Sequence, residues 1–283
     1  MNATATEQLH SDEHLVTDVR IGKLNVKGTI LRVAIRPGSR REPPLLLLNG
    51  IGANLELLKP FVDKLDPAIE AISFDVPGVG GSPMRKVPLR FSGLARLVDD
   101  LLEHLGYSQA DVLGVSWGGA LAQEFAYQYP RRCRRLILAA TATGTVMVPG
   151  SPLVMMNMAS PRRYLQPQHM ANIAPKLYGG ALRDNPELAA KHVQSVMAGS
   201  SLGYLWQMFA TLGWTSIHWL HRLRQPTLIL AGDDDPLVPL INAKLMARLI
   251  PNSRLHVFHC GHLFIITCAE EAAALVHGFV TEA

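Results

Sequence analysis

Along this 283-residue chain, short runs of unbroken apolar residues alternate with segments of helical periodicity, and that alternation restricts the fold more than any other feature. "PPLLLLNG" and "IEAISFDVPG" are such runs, both ending at glycine, and their continuity suits strands covered on both faces. "NLELLKPFVDKL" lies between them as a helix candidate. "FSGLARLVDDLLEHLGY" follows, with Ser92 as a cap and Leu94, Leu97, Val98, Leu101, Leu102 and Leu105 on one face. Then come the strand "ADVLGV", the helix "GALAQEFAYQY" and the strand "RRLILAATATG". The alternation stops near Gly144 and resumes with "QPTLILAGDDDP", the helix candidate "NAKLMARLI", the strand "SRLHVFH" and a last helix through "AEEAAALVHGFV". Such a chain is expected to build a mostly parallel sheet with helices on both faces. Ahead of it, "LVTDVRIGKLNV" and "GTILRVAIRPG" alternate apolar and polar residues, as an antiparallel pair with one wet face does.

The expected organisation is a polar, loose tail over residues 1–14, a core over 15–144 and 222–283, and an insertion over 145–221. The tail lacks the apolar run of a signal peptide, and no apolar stretch reaches the length of a membrane span. The insertion carries Met147, Met155, Met156, Met158, Met170, Met197 and Met208, with Trp206, Trp214 and Trp219. It enters at the C-terminal edge of the sheet, where open α/β folds bind ligands, and would act as a helical lid. Cys133, Cys260 and Cys268 have neither metal-ligand spacing nor an even count, which suits reduced thiols in a cytoplasmic protein. The net charge of +4 is densest in "RRCRR", residues 131–135, expected to be a solvated connection between helix and strand. No aromatic interleaving favours nucleic acid there.

"GVSWGG" places Ser116 among glycines at a junction of strand and helix. A nucleophile elbow needs that arrangement, because the serine takes strained backbone angles and its neighbours must leave room for the turn. A serine hydroxyl also needs a base, and the base a carboxylate. "LILAGDDDPLVP" and "LHVFHCGHLF" supply acid and then base at the ends of later strands. No acidic residue occurs from Leu136 to Arg183, which excludes the loop after "LILAAT". Spacing leaves Asp233, Asp234 and Asp235 open; Asp235, next to Pro236 and farthest past the strand, best matches the usual turn, and the others read as turn formers satisfying local amides. For the base, His256 lies within the strand, whereas His259 and His262 lie beyond it, and Gly261 frees the backbone to swing His262 over the strand ends. Donors for an oxyanion are expected from the amide of Trp117 and from that of Ile51 in "NGIGAN". "SFDVPGVGGSP" fits the loop that follows the fourth strand of such folds.

With these motifs in order, the chain resembles the α/β-hydrolase superfamily from about residue 15 onward. "GVSWGGALAQEFAYQYP", "NGIGAN" in place of His-Gly, "AGDDDPLVP" and "HCGHLF" are similar to the intracellular depolymerases of medium-chain-length polyhydroxyalkanoates. The resemblance places nucleophile, acid and base at Ser116, Asp235 and His262. It implies a serine hydrolase that cleaves polyester to 3-hydroxy acids without metal or cofactor, at the surface of cytoplasmic storage granules. Met155, Met156, Trp206 and Trp214 are the lid residues expected to meet the substrate, although a lid must also be apolar where it packs on the core. An esterase or carbon–carbon bond hydrolase of the same fold, acting on a soluble metabolite, is the nearest rival reading. A non-enzymatic ligand- or granule-binding module is another.

Overall fold

A computed structural model describes residues 19–39, 43–160, 162, 166–185, 187 and 200–282. The expected N-terminal tail and Met197 lie outside the described residues. The first two strands, β1 (Arg20–Val26) and β2 (Thr29–Arg36), form an antiparallel hairpin that pairs Val26 with Thr29. Lys27 and Gly28 between them both have positive φ, the requirement of a tight two-residue turn whose twist matches the strands. The burial of β1 alternates toward its end, so one face is wet as the sequence pattern implies.

Next come β3 (Leu45–Leu48), β4 (Ala71–Phe74), β5 (Ala110–Val115), β6 (Cys133–Ala139), β7 (Thr227–Gly232) and β8 (Ser253–Phe258). They complete an 8-stranded sheet in the order β1-β2-β4-β3-β5-β6-β7-β8, parallel from β4 through β8. Leu46 and Leu48 face a core shared with helices α1 (Phe91–His104), α2 (Trp117–Gln128) and, farther along the sheet, α6 (Leu240–Leu249). Leu45 and Leu47 face the opposite core, which α7 (Ala269–Thr281) closes. Every residue of β3, β4, β5 and β7 is buried, which is why these strands read as unbroken apolar runs.

Local details depart from the sequence reading. "NLELLKPFVDKL" is not one helix but a 3-10 turn, Leu55–Leu58, followed by a single α-turn, Lys59–Val62. Pro60 has no N–H to donate, so an α-helix can start beside it but not run through it. Helix α1 begins at Phe91 with Arg90 as its N-cap, and Ser92 lies inside the first turn rather than capping it.

Between β6 and β7 the insertion carries α3 (Pro152–Ala159), α4 (Pro167–Tyr178) and α5 (Ser201–Thr211). Its two ends meet in a bridge between Gly144 and Thr215, closed by Thr145 N–H on the Trp214 carbonyl at 2.9 Å and Ser216 N–H on the Thr143 carbonyl at 3.0 Å. Val154, Met170 and Leu177 form a small core of their own with Leu237 and Leu263 from the loops after β7 and β8.

The "RRCRR" segment joins α2 to β6, but its arginines do more than meet solvent. Arg132 ion-pairs with Asp99 at 2.6 Å, and Arg134 grips the buried carboxylate of Asp111 through Nε at 2.9 Å and Nη2 at 2.6 Å. Burial pushes the Asp111 carboxyl up, and the Arg134 guanidinium opposes that shift. Arg135 lies over the Phe279 ring and donates to the Glu282 carbonyl, tying β6 to the end of α7. Arg132, Arg134 and Arg135 thus fasten the N-terminal ends of β5 and β6 to α1 and α7, at the opposite end of β5 from Ser116.

Candidate active site

Ser116 occupies the turn between β5 and α2 with φ 54° and ψ −115°, a conformation rare outside glycine. The strain is enforced by close packing. A methyl group on Gly114 would meet the Gly118 carbonyl, and one on Gly118 would meet the Leu48 carbonyl of β3. The Ser116 N–H donates to the Ala139 carbonyl at 2.8 Å, and Thr141 Oγ1 donates to the Ser116 carbonyl at 2.7 Å, so the neighbouring strand fixes the elbow from both sides. Trp117 opens α2, where first-turn amides have no partner within the helix and the helix dipole favours negative charge.

Asp235 and His262 meet over the ends of β7 and β8. Asp235 Oδ2 and His262 Nδ1 are 2.7 Å apart, and both side chains are at least 97% buried, with exposures of 1% and 3%. Asp235 Oδ1 accepts the N–H groups of Leu237 at 2.9 Å and Val238 at 2.8 Å, which leaves Oδ2 aimed at the ring. The His262 N–H donates to the Tyr178 carbonyl at 2.7 Å, and the rings of Tyr178 and His262 stack at 5.9 Å. With Nδ1 held by the carboxylate, Nε2 is the ring atom that can exchange protons with a substrate or nucleophile. His262, Ser116 and Gly50 line one small cavity of about 40 Å³.

The rival acids and bases go elsewhere. Asp233 pairs with the exposed His259 at 2.6 Å, and His256 faces Glu271 on α7 at 3.1 Å. Asp234 reads in the sequence as a turn former satisfying local amides; in the structure it accepts the Gly180 N–H of the insertion at 2.8 Å and pairs with Arg183 at 3.0 Å. The local amides belong to Asp235, whose two oxygens divide the work between turn and imidazole.

Ile51 sits in a turn closed by Ala53 N–H on the Gly50 carbonyl at 3.2 Å. Gly52, at φ 73°, occupies the third position of that turn, where type II geometry demands positive φ. Asn49 donates its side-chain amide to the Asn54 carbonyl at 2.9 Å and so spans the loop. Asp75 reaches the same region from the β4 loop, accepting Leu55 N–H at 2.7 Å and Gly81 N–H at 2.8 Å.

A cavity of about 380 Å³ opens on Ser116, Trp117 and Ile51. Its outer wall is the insertion, with Met147, Met155, Met158, Met208 and Trp214. Trp214 is braced by its indole N–H on Glu124 at 2.7 Å and by the Phe91 ring at 4.9 Å. Of the lid residues singled out in sequence, Met155 and Trp214 line this cavity. Met156 points outward, 67% exposed, and Trp206 lines a separate pocket with Arg85 and Leu89 behind Trp117. On a helix beside a cleft, only one side of each turn faces the cleft, and composition alone does not say which.

One residue at the site escaped the sequence reading. Gln207 of α5, 5% exposed, accepts the Gly52 N–H through Oε1 at 2.7 Å. Its only sequence signal is a lone amide in the middle of the otherwise apolar "GYLWQMFA".

A family model for the α/β hydrolase fold matches residues 43–268. Poly(3-hydroxyalkanoate) depolymerase of Ectopseudomonas oleovorans is 59% identical over 252 residues, 89% of each chain. The chain is an α/β hydrolase of the poly(3-hydroxyalkanoate) depolymerase family. As a member it is an enzyme, a hydrolase of carboxylic esters. More distantly, 3-oxoadipate enol-lactonase 2 of Acinetobacter baylyi is 26% identical, covering 80% of this chain and 84% of the relative. A solved structure of a hydrolase from Pseudomonas aeruginosa superposes with a TM-score of 0.80 at 24% identity, over 93% of this chain and 98% of that one, a likeness of fold. Among the described residues of this depolymerase-family chain, no helix is long and apolar enough to cross a membrane.

Proposed function

We propose that the chain cleaves the ester bonds of medium-chain-length poly(3-hydroxyalkanoate) with Ser116 as nucleophile, His262 as base and Asp235 as its orienting acid. The observation that carries this reading is the buried Asp235–His262 pair, 2.7 Å apart, beside a strained serine that opens on an apolar cavity. Ser116 Oγ attacks the ester carbonyl as His262 Nε2 takes its proton. The carbonyl oxygen gathers negative charge opposite the amides of Ile51 and Trp117. The C–O bond then breaks, the chain's alcohol leaves with the proton from His262, and an acyl-Ser116 ester remains. Water, losing a proton to His262, attacks that ester; the acyl C–Oγ bond breaks, His262 returns the proton to Ser116 Oγ, and a 3-hydroxy acid is freed. The Asp235 carboxylate holds the ring in one tautomer and balances its positive charge between the two transfers.

Pendant alkyl chains fit the Met-lined side of the cavity, because unbranched thioether side chains adapt to ligands of varying shape. Residues 145–221 serve as a lid over this site. Its outer side exposes Met156, Leu202, Leu205 and Leu212, which suits contact with a hydrophobic polymer granule in the cytoplasm.

The test is release of 3-hydroxy acids from dispersed medium-chain polymer by the purified protein beside its Ser116→Ala variant. Release by the parent, with turnover reduced on the order of a millionfold in the variant, is the expected result. Silence on polymer with turnover of a soluble ester discards the polymer and keeps the hydrolase.

A further inference from the structure

We infer that Gln207, on the lid, is a positioning residue that sets the geometry of the oxyanion hole from behind. The inference rests on the proposed role of the Ile51 and Trp117 amides and adds what holds them in place.

Both donors sit on structures that Gln207 grips. Its side-chain Oε1 accepts the Gly52 N–H at 2.7 Å, and its main-chain carbonyl accepts the Trp117 indole N–H at 3.0 Å. The Gly50–Ala53 turn carries Ile51, and the central peptide of such a turn can rotate between type I and type II forms. Fixing the Gly52 N–H fixes the plane of the Ile51–Gly52 peptide and with it the turn. Gln207 does not line the cavity that opens on Ser116; it lies behind the loop, in a small pocket with Asn49, Gly50 and Trp117. Its place is therefore that of a support and not of a substrate contact.

The helix that bears it is seated to do this. At Gly203, one turn before Gln207, α5 touches the Gly78 carbonyl so closely that a methyl group would collide with it. Ser200 caps the helix by accepting the Gly203 N–H at 3.0 Å. Arg90, from the start of α1, donates to the Phe209 carbonyl at 3.1 Å and to that of Leu212 at the far end. A buried amide costs free energy unless it is hydrogen-bonded, and the Gly52 N–H supplies that bond only while α5 is docked. The hole is thus complete when this part of the lid is in place.

The test compares Gln207→Leu, which keeps the shape and removes the acceptor, with Gln207→Glu, which keeps an acceptor. Each is assayed on a soluble p-nitrophenyl alkanoate and with a trifluoromethyl ketone, whose adduct with serine places an oxyanion in the hole. Gln207→Leu is expected to lower kcat on the order of 10- to 100-fold with KM changed less than about threefold, and to weaken the ketone by a factor similar to the loss in kcat. Gln207→Glu is expected to recover most of both. A leucine variant with parental kcat overturns the inference. So does an equal loss in both variants, or a leucine variant whose loss lies in KM alone or tracks a fall in Tm to the assay temperature, since a merely structural role gives those results. Parental silence on polymer bears only on the proposed substrate, because this assay uses a soluble ester.

Discussion

Helices α2 and α5 both border the site and both are largely apolar, yet they are held by different means. In α2 every residue from Trp117 to Ala126 is buried, between the sheet below and the lid and α1 above. In α5 only Gly203, Tyr204, Gln207 and Ala210 are buried, while Leu202 and Leu205 are 49% and 55% exposed. The elbow helix is located by packing from all sides, where one lost contact leaves many others. The lid helix is located by a few specific contacts on one stripe: Gly203 on Gly78, Gln207 on Gly52, and Arg90 on its last carbonyls. Substitutions beside the sheet should therefore alter chemistry with the structure intact. Substitutions on the lid stripe should alter chemistry by moving the structure.

The largest effect tests the sheet side. In Asp235→Asn, the amide oxygen can still accept Leu237 and Val238 N–H, so the turn survives. The amide nitrogen then faces His262 Nδ1 as a donor, which forces the ring into the tautomer with Nε2 protonated and unable to act as base. We expect kcat to fall about ten-thousandfold with Tm nearly unchanged. A loss below tenfold would remove Asp235 from the assigned role, and a large fall in Tm would mean that the turn, not the tautomer, was lost.

A smaller effect tests the lid side. Gly203→Ala puts a methyl group against the Gly78 carbonyl, and because backbone lies on both sides of the contact, α5 must retreat. A displacement of about 1 Å at a supporting element can cost on the order of 100-fold in rate. Gly203→Ala should therefore lower kcat on a soluble ester by about 10- to 100-fold. Gly278→Ala on α7, where an added methyl group meets nothing within 4 Å, serves as the control and should leave kcat unchanged. Equal behaviour of the two variants would dissolve the distinction between the helices.

The same contrast explains what could be read in the sequence. Ser116 was legible because the elbow is written in adjacent residues, a strand, a turn and a helix within "ADVLGVSWGGALAQEF". Asp235 and His262 were legible as candidates because each lies just past the end of a strand, the buried β7 or the half-buried β8. The parallel sheet followed from runs such as "LLLL", which only a strand covered on both faces requires. Gln207, Asp234 and the outward turn of Met156 were not legible, because each depends on which distant segment packs beside it. Gln207 bonds a residue 155 positions away, and no local period carries that information. The missed cap at Arg90 has a similar cause, since its guanidinium serves the lid rather than its own helix.

The smallest effect concerns a polar tie between the insertion and the loop of the proposed triad acid, where Asp234 meets Gly180 and Arg183. The Arg183 guanidinium, and after it the Gly180 N–H, hold the Asp234 carboxyl below its ordinary value. The pair is roughly half exposed, 53% for Arg183 and 45% for Asp234, so screening by solvent keeps its contribution small. In Asp234→Asn an oxygen still accepts the Gly180 N–H, and only the charged pairing is removed. Because folding depresses this carboxyl's pKa, its stabilisation is complete above the unfolded value of about 3.9 and is lost as pH falls through the folded one. The parent should therefore exceed the variant in Tm by about 2 °C at low salt, evenly from pH 7 to pH 5, with the gap closing below about pH 4. Thermal unfolding of both proteins across that range measures it. A gap that widened in acid would reverse the sign and show that Asp234 is held by something other than the Arg183 charge. A gap of zero at every pH would mean that the Arg183 charge adds nothing to the Gly180 N–H bond and the apolar packing that hold the insertion against the loop of Asp235.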